Sequence, residues 1–215
     1  MRSRILNNDE VAPVAVPVVT TAVPMEAASI ITPSSNDNHV YFYDEIHSSS
    51  VLGMTKSLRS IENTFQHERI TRSLPDNYPS PPIWLHIQSG GGDVFASLSA
   101  ADQIEAMQTP VYSIIEGMAC SGATILSMSC KRRFILPHSY IMIHQLSSGT
   151  WGTYEQFKDE LKLQDMVMES MINFYVKHSS MKRKEVKSML KHDTWMSAQD
   201  ALDKGFVDEI IGASK

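Results

Sequence analysis

Two short apolar runs each lead into a turn of glycine or other small residues, and each turn opens a segment with helical periodicity. Residues 83–87 lead into the run 89–92, which ends in consecutive glycines. Residues 111–115 lead in the same way into the segment 117–123. Buried strands that alternate with helices along a chain are typical of an α/β architecture. We therefore predict an α/β fold.

The rest of the chain continues this alternation of strands and helices. Residues 39–43 have strand composition, Ser48 to Ser50 offer helix caps, and an apolar stripe follows at helical spacing: Val51, Met54, Leu58, Ile61 and Phe65. The stripe fails at residue 66, and the prolines that follow up to residue 82 indicate a loop. Further on, the pattern predicts strands at 134–136, 140–144 and 207–211, and helices at 94–108, 122–130, 153–178, 182–190 and 197–205.

Composition excludes several classes of partner. The 215 residues carry a formal net charge of -5, whereas phosphate binding needs clustered Lys and Arg. The one tight basic cluster, Lys131-Arg132-Arg133, is typical of a solvated turn. Cys120 and Cys130 are too few for a disulfide framework, and Cys120 is interpreted as a small buried hydrophobe. We expect no nucleic acid partner, no metal and no cofactor.

The amino-terminal region is apolar over residues 11–33, which is long enough to suggest a membrane span. However, the prolines inside this stretch would break a helix, and Glu26 adds a charge. Acidic residues before the stretch also argue against a signal peptide. We predict that residues 1–38 are a flexible tail or a removable pro-segment, that no membrane is involved, and that residues 39–215 form one domain.

The second small-residue turn contains a candidate nucleophile. Ser121 lies among Ala119, Cys120, Gly122 and Ala123, which are small enough to let a substrate backbone approach. The start of a helix also presents unpaired N–H groups that suit a developing oxyanion. A serine at a strand-to-helix turn is the arrangement of a nucleophile elbow, although Gly-x-Ser-x-Gly is absent. On these residues alone, Ser121 is explained equally well as a helix cap.

A serine nucleophile needs a base, and His144 is the candidate because it closes the apolar run 140–143. Histidine at the end of a buried strand lies at the rim of the sheet, where sites collect, but a lone histidine there is more often structural. Asp193 is a candidate third residue because it falls in a short loop between two predicted helices, next to Trp195. Spacing alone does not select it from the other carboxylates.

Several ordered motifs resemble those of the ClpP family of serine peptidases, and the resemblance covers residues 39–212. They are Gly91-Gly92, the segment 117–123, Arg133-Phe-Ile-Leu-Pro137, Tyr140-Ile-Met-Ile-His144-Gln145, Asp193-Thr-Trp-Met-Ser-Ala198 and Ala201-Leu-Asp-Lys-Gly205-Phe-Val-Asp208. The resemblance implies a Ser121–His144–Asp193 triad and an oxyanion hole formed by the backbone N–H groups of Gly92 and Gly122. The chain differs from the usual family pattern at Gly90 and Leu146, where proline is common.

The resemblance also implies a crotonase-like fold of repeated ββα units, with the predicted helix 153–178 as a protruding handle. Methionines at 166, 168 and 171 suit a helix that packs on a partner. Self-association into heptameric rings, stacked as a double ring, is expected. An AAA+ unfoldase partner, unfolded protein substrates and a cytoplasmic location are also expected, or an organelle stroma if the amino-terminal segment is a transit peptide.

Three other functions are compatible with this fold. The chain would be a catalytically inactive, structural ring subunit if its triad did not act, but all three triad residues are present. A crotonase-type acyl-CoA enzyme would use the glycine N–H groups without needing Ser121. A phage head-maturation protease would use the same triad, and the sequence does not separate it from a Clp-type protease.

Overall fold

A mainly parallel β-sheet forms the centre of the computed structural model, which describes residues 38–75 and 78–212. Its strands are β1 (His39–Phe42), β2 (Ile83–Ser89), β3 (Val111–Cys120), β4 (Arg132–Ile135), β5 (Tyr140–Ile143), β6 (Thr194–Ser197) and β7 (Glu209–Ile210). The helices are α1 (Ser48–Thr71), α2 (Val94–Glu105), α3 (Gly122–Met128), α4 (Tyr154–His178), α5 (Arg183–Met189) and α6 (Ala198–Asp203). This mixed architecture confirms the α/β prediction.

Strand β3 belongs to two parts of the sheet at once. The main path runs β1-β2-β3-β4-β7 with parallel neighbours, and the first half of β3 pairs with β4 there. The second half, from Met118 to Cys120, pairs in parallel with β5, which in turn pairs antiparallel with β6. Gly117 lies between the two halves with φ 80°, a backbone conformation that favours glycine. Because of this divided pairing, the carboxyl-terminal end of β3 lies next to β5.

The central strands are buried because helices cover the sheet. In β2, the side chains of Ile83, Leu85 and Ile87 are fully buried. The backbone N–H groups that follow α2 have their acceptor on another helix. Glu62 of α1 is buried, and its Oε1 accepts the N–H groups of Gln108 and Thr109 at 2.8 and 2.9 Å. A carboxylate from one helix therefore caps the chain where it leaves α2.

Arg133 corrects the interpretation of the basic cluster as a solvated turn. It lies in β4 and is mostly buried, and it pairs with Asp208 through a 2.6 Å contact. Its guanidinium also donates to the carbonyls of His178 and Gly205, at 2.6 and 2.9 Å. One side chain thus joins the ends of α4 and α6 to the sheet, which sequence composition alone did not reveal.

Helix α1 is longer than its apolar stripe predicts. It begins after His47, whose Nδ1 accepts the N–H of Ser50, so His47 and not a serine is the cap. It continues to Thr71, although the stripe fails at residue 66 and we predicted a loop from there. The added residues, Gln66 to Thr71, are mostly exposed or half-buried. These last residues extend a helix that has already formed, so they do not bear the cost of nucleation and need no apolar face of their own.

Helix α4 changes character along its length. Its carboxyl-terminal half packs into the core through Val167, Met171, Ile172 and Tyr175. Of the three methionines that we expected on a partner-facing surface, Met171 is therefore core, and only Met166 is strongly exposed. Within the described residues, no helix is both long enough and apolar enough to cross a membrane. The predicted tail lies outside the described residues except for Asn38.

Candidate active site

Ser121 occupies a sharp turn between β3 and α3. Its backbone has φ 53° and ψ -124°, outside the conformations that a non-glycine residue adopts without strain. The Ser121 N–H donates to the carbonyl of Met142 in β5 at 2.7 Å, which holds this conformation. The side chain makes no capping hydrogen bond to α3. The interpretation of Ser121 as a simple helix cap is therefore wrong, and its hydroxyl is free for another partner.

That partner is His144. The distance between His144 Nε2 and Ser121 Oγ is 2.8 Å, within the range of a nucleophile–base hydrogen bond. The pairing of β3 with β5 produces this approach, because Cys120 is opposite Met142 and the two catalytic candidates follow at the ends of their strands. When Nε2 accepts a hydrogen bond from the serine hydroxyl, the neutral imidazole carries its proton on Nδ1.

Asp193 comes before β6, a strand that the sequence analysis missed when it assigned this residue to a loop between two helices. In the β5–β6 pair, Ile143 is opposite Thr194, so continuing the register by one residue sets Asp193 opposite His144. Antiparallel neighbours have Cα atoms about 4.5–5.5 Å apart. The Asp193 side chain is exposed, and within the described residues it forms no hydrogen bond with His144. Its role in orienting the imidazole stays a prediction.

The two glycines predicted to form an oxyanion hole line the same cavity as Ser121. Gly92 has φ 146° and forms an isolated bridge with Ile46, and Gly122 is the first residue of α3. Among the described residues, neither glycine N–H has a hydrogen-bond acceptor. A Cβ atom at Gly92 would collide with the Ile46 carbonyl, and one at Gly122 would collide with Ser97. Close packing against the backbone therefore requires glycine at position 92, whereas a methyl group at position 122 would have to displace the Ser97 hydroxyl.

These groups line one cavity of about 290 Å³. Gly92, Ser121, Gly122 and His144 form one part of its wall. The remaining wall comes from the start of α2, from α3, from the segment that follows His144 and from α4; it includes Val94, Ile125, Leu146, Glu160, Gln164, Val167 and Met171. The cavity therefore combines a nucleophile, a base and free amides with a partly apolar wall that can hold a side chain of a substrate.

A buried tyrosine of α4 supports the serine turn, and the sequence analysis did not find it. The Thr124 hydroxyl donates to the Ser121 carbonyl at 2.6 Å, and the Tyr175 hydroxyl lies 2.7 Å from the same threonine oxygen. Because the threonine proton is used by Ser121, Tyr175 is the donor. Burial raises the pKa of Tyr175 to about 12, so it stays a neutral donor. No local pattern indicates a contact between residues this far apart in sequence.

The two cysteines, Cys120 and Cys130, do not supply a second nucleophile. Both are free and buried, which agrees with the interpretation of Cys120 as a small buried hydrophobe. Burial raises the pKa of the Cys120 thiol, and it raises the pKa of Cys130 to about 12. Neither thiol is therefore an activated nucleophile. Among the described residues, no group of His, Cys, Asp and Glu side chains is arranged to hold a metal ion.

A strained serine that bonds a histidine beside two free amides is the arrangement of a serine hydrolase acting by acyl transfer. Comparison with known proteins identifies a family within this class of hydrolases. The sequence model of the Clp protease family matches residues 36–214, and the chain belongs to that family. Family membership confirms the predicted ClpP resemblance and the class of serine-type endopeptidase.

Individual relatives agree with this assignment. The chain is 30% identical over 198 residues to "ATP-dependent Clp protease proteolytic subunit 1" of Protochlamydia amoebophila, and this covers 90% of each chain. It is 32% identical over 148 residues to "ATP-dependent Clp protease proteolytic subunit" of Deinococcus radiodurans, covering 66% of this chain and 71% of the relative. A solved ClpP1 mutant from Listeria monocytogenes superposes with a TM-score of 0.69 at 23% identity, over 81% of this chain and 91% of that one. The last match confirms the predicted ClpP fold.

Proposed function

We propose that this chain is the proteolytic subunit of a Clp-type, chambered, ATP-dependent protease that cleaves unfolded polypeptides into short peptides. The observation that carries this proposal is the 2.8 Å contact between Ser121 Oγ and His144 Nε2. A serine hydroxyl is a weak nucleophile until an adjacent base takes its proton, and this contact supplies the base. The names of these relatives support ATP-dependent proteolysis as the process in which the subunit acts.

In the acylation step, Ser121 Oγ attacks the carbonyl carbon of a peptide bond while His144 Nε2 takes the serine proton. The new C–O bond leaves a negative charge on the carbonyl oxygen, which the Gly92 and Gly122 N–H groups stabilise. Losing one such donor typically costs about 3–4 kcal/mol of transition-state stabilisation. The proton then passes from His144 to the leaving amine as the C–N bond breaks. Water, activated by the same histidine, hydrolyses the acyl-enzyme.

Asp193 completes the proposed triad by accepting the Nδ1–H of His144. The β5–β6 register supports this role, because it sets the two residues opposite each other at the ends of their strands. The accepted hydrogen bond would hold the useful tautomer and stabilise the imidazolium that forms during attack.

We propose that the subunit self-associates into heptameric rings that stack as a double ring and that an AAA+ unfoldase delivers its substrates. Exposed apolar side chains on and before the first half of α4 support self-association, because monomers rarely expose so many together. They are Trp151, Tyr154, Phe157, Leu161, Leu163 and Met166. We further propose a cytoplasmic location, or an organelle stroma if the amino-terminal segment directs transit.

Labelling with a fluorophosphonate tests the chemistry. We expect wild-type protein and the Ser99→Ala variant, which changes a serine of α2 outside the cavity wall, to react equally. Ser121→Ala should not react, and Asp193→Asn should react slowly. Equal labelling of Ser121→Ala and wild type would remove this serine from the mechanism. Sedimentation of the same samples tests for rings, and a stable monomer would contradict the chambered design.

The remaining alternatives make different predictions in the same experiment. An inactive, structural ring subunit would assemble but would not label at Ser121. A phage head-maturation protease would label, yet it would cleave a capsid precursor without an unfoldase. The intact serine–histidine contact argues against an inactive subunit, and the relatives' names favour the Clp-type protease over a phage head-maturation protease.

A further inference from the structure

The wall of the catalytic cavity becomes more polar along α4. Met171, Val167, Gln164 and Glu160 all line the cavity and follow one another at intervals of three or four residues, so they form one stripe of the helix. Met171 and Val167 are buried, whereas Gln164 and Glu160 are half-buried. Glu160 therefore carries a negative charge into a cavity whose wall is apolar nearer the core.

Two contacts orient this stripe relative to the catalytic residues. Leu146, two residues after His144, lies against α4 with its N–H 3.1 Å from the sulfur of Met168. Two residues further, the Ser148 hydroxyl lies 3.4 Å from Glu160 Oε1. The segment after His144 thus runs from the apolar part of the stripe towards its carboxylate. Along this segment the apolar part of the stripe therefore lies nearer to His144, and the carboxylate of Glu160 lies further away.

Among the residues that the structure describes, no cation pairs with the carboxylate of Glu160. Its hydrogen bonds come from Ser148 and from Gln164 Nε2, at 3.4 and 3.2 Å, and both reach Oε1. Within the described residues, Oε2 accepts no hydrogen bond, and Glu160 forms no ion pair. The cavity wall includes a second carboxylate, Asp93, and none of the described residues that line it is Lys or Arg. The negative charge is therefore available to a ligand.

We propose that this cavity selects a Lys or Arg side chain next to the scissile bond, with Glu160 as the specificity-determining residue. The inference rests on the proposed function and adds the substrate class to it. Lys and Arg suit the wall because their alkyl stems bury against apolar surface while the charged head reaches a polar group. A carboxylate at the end of such a pocket favours a basic side chain electrostatically, and its partial burial limits screening by water and salt.

Paired peptides test the proposal on the full-length assembled protein. In each internally quenched peptide, one residue beside the cleaved bond is either lysine or norleucine, which keeps the stem and lacks the charge. Both sides of the bond are tested separately. We expect kcat/KM to favour lysine at least about tenfold on one side, mainly through KM, and the preference to weaken with added salt.

Two variants of α4 distinguish the role of Glu160 from general charge effects. Glu160→Gln should bring the lysine-to-norleucine ratio close to one, and Glu160→Lys should invert it. Asp159→Asn removes the same charge from the neighbouring, exposed residue, which pairs with Lys162 and lies outside the cavity wall, and should keep the wild-type ratio.

The outcomes separate this inference from the proposed function. If wild type cleaves peptides and labels at Ser121 but Glu160→Gln leaves the ratio unchanged, the specificity proposal is wrong while the peptidase assignment stands. The same conclusion follows if wild type shows no lysine preference. If Ser121 neither labels nor cleaves any peptide, the peptidase assignment itself fails and the specificity proposal fails with it.

Discussion

Replacing Gly91 by alanine tests whether the close packing of Gly91 against the serine turn fixes the position of Ser121. A Cβ atom at this position would lie 2.6 Å from the Cys120 carbonyl oxygen and 2.7 Å from Ser121 Cβ. Non-bonded carbon atoms pack at about 3.5–4.0 Å, so the serine turn has to move by about 1 Å. Gly91 also has φ 95°, which disfavours alanine in the folded state.

A displacement of about 1 Å at the reacting groups costs on the order of a hundredfold in rate, or about 2.7 kcal/mol of activation free energy. We therefore expect Gly91→Ala to lower kcat on a short peptide, and the rate of fluorophosphonate labelling, by about that factor. Circular dichroism and sedimentation on the same sample establish that the variant is folded and assembled. The displacement moves the nucleophile, not the apolar wall of α4, so KM should change less than kcat.

Gly90→Ala is the matched control. A Cβ atom added to this neighbouring glycine would meet open space, and Gly90 has no positive φ, so its alanine variant should keep nearly wild-type activity. Activity of Gly91→Ala within about twofold of the Gly90→Ala control would refute the reasoning. It would mean that the serine turn relaxes freely and that the close approach of Gly91 does not fix the nucleophile.

Three further predictions concern stability. Glu62→Leu leaves the backbone N–H groups of Gln108 and Thr109 without their acceptor, and only Thr109 is buried, so the free energy of unfolding in urea titration should fall by about 1–3 kcal/mol; no change would contradict the capping role. Tyr175→Phe should cost about 1 kcal/mol and slow labelling of the serine only slightly, because the Thr124 hydroxyl keeps its bond to the Ser121 carbonyl. Burial alone would raise the pKa of Asp208, but hydrogen bonds and charge from Arg133 hold it below 3.8. The Asp208–Arg133 pair therefore stabilises the fold fully above pH 3.8, and this stabilisation is lost as the pH falls through the lower pKa that Asp208 has in the folded state. Because Asp208→Asn removes the titrating group, the free energy of unfolding of this variant should depend less on pH at the acid end.

Elements that depend on local pattern could be predicted from the sequence. Continuous apolar runs indicate β2 and the first half of β3, and helical spacing indicates α1, α2 and α4, because burial imposes those periods on neighbouring residues. The small residues from 117 to 123 also indicate a tight turn with an accessible serine. Local pattern did not decide whether Ser121 caps a helix or acts as a nucleophile.

The meeting of distant segments depends on the folded chain. The split pairing of β3 brings Ser121 to His144, and β6 carries Asp193 to the same rim only because β5 offers it a partner. A strand of four residues carries little signal of its own, since its hydrogen bonds all go to a distant segment. The same reason explains why the roles of Arg133 and Tyr175 emerge from the fold: their partners lie far away in sequence, and only packing brings them together.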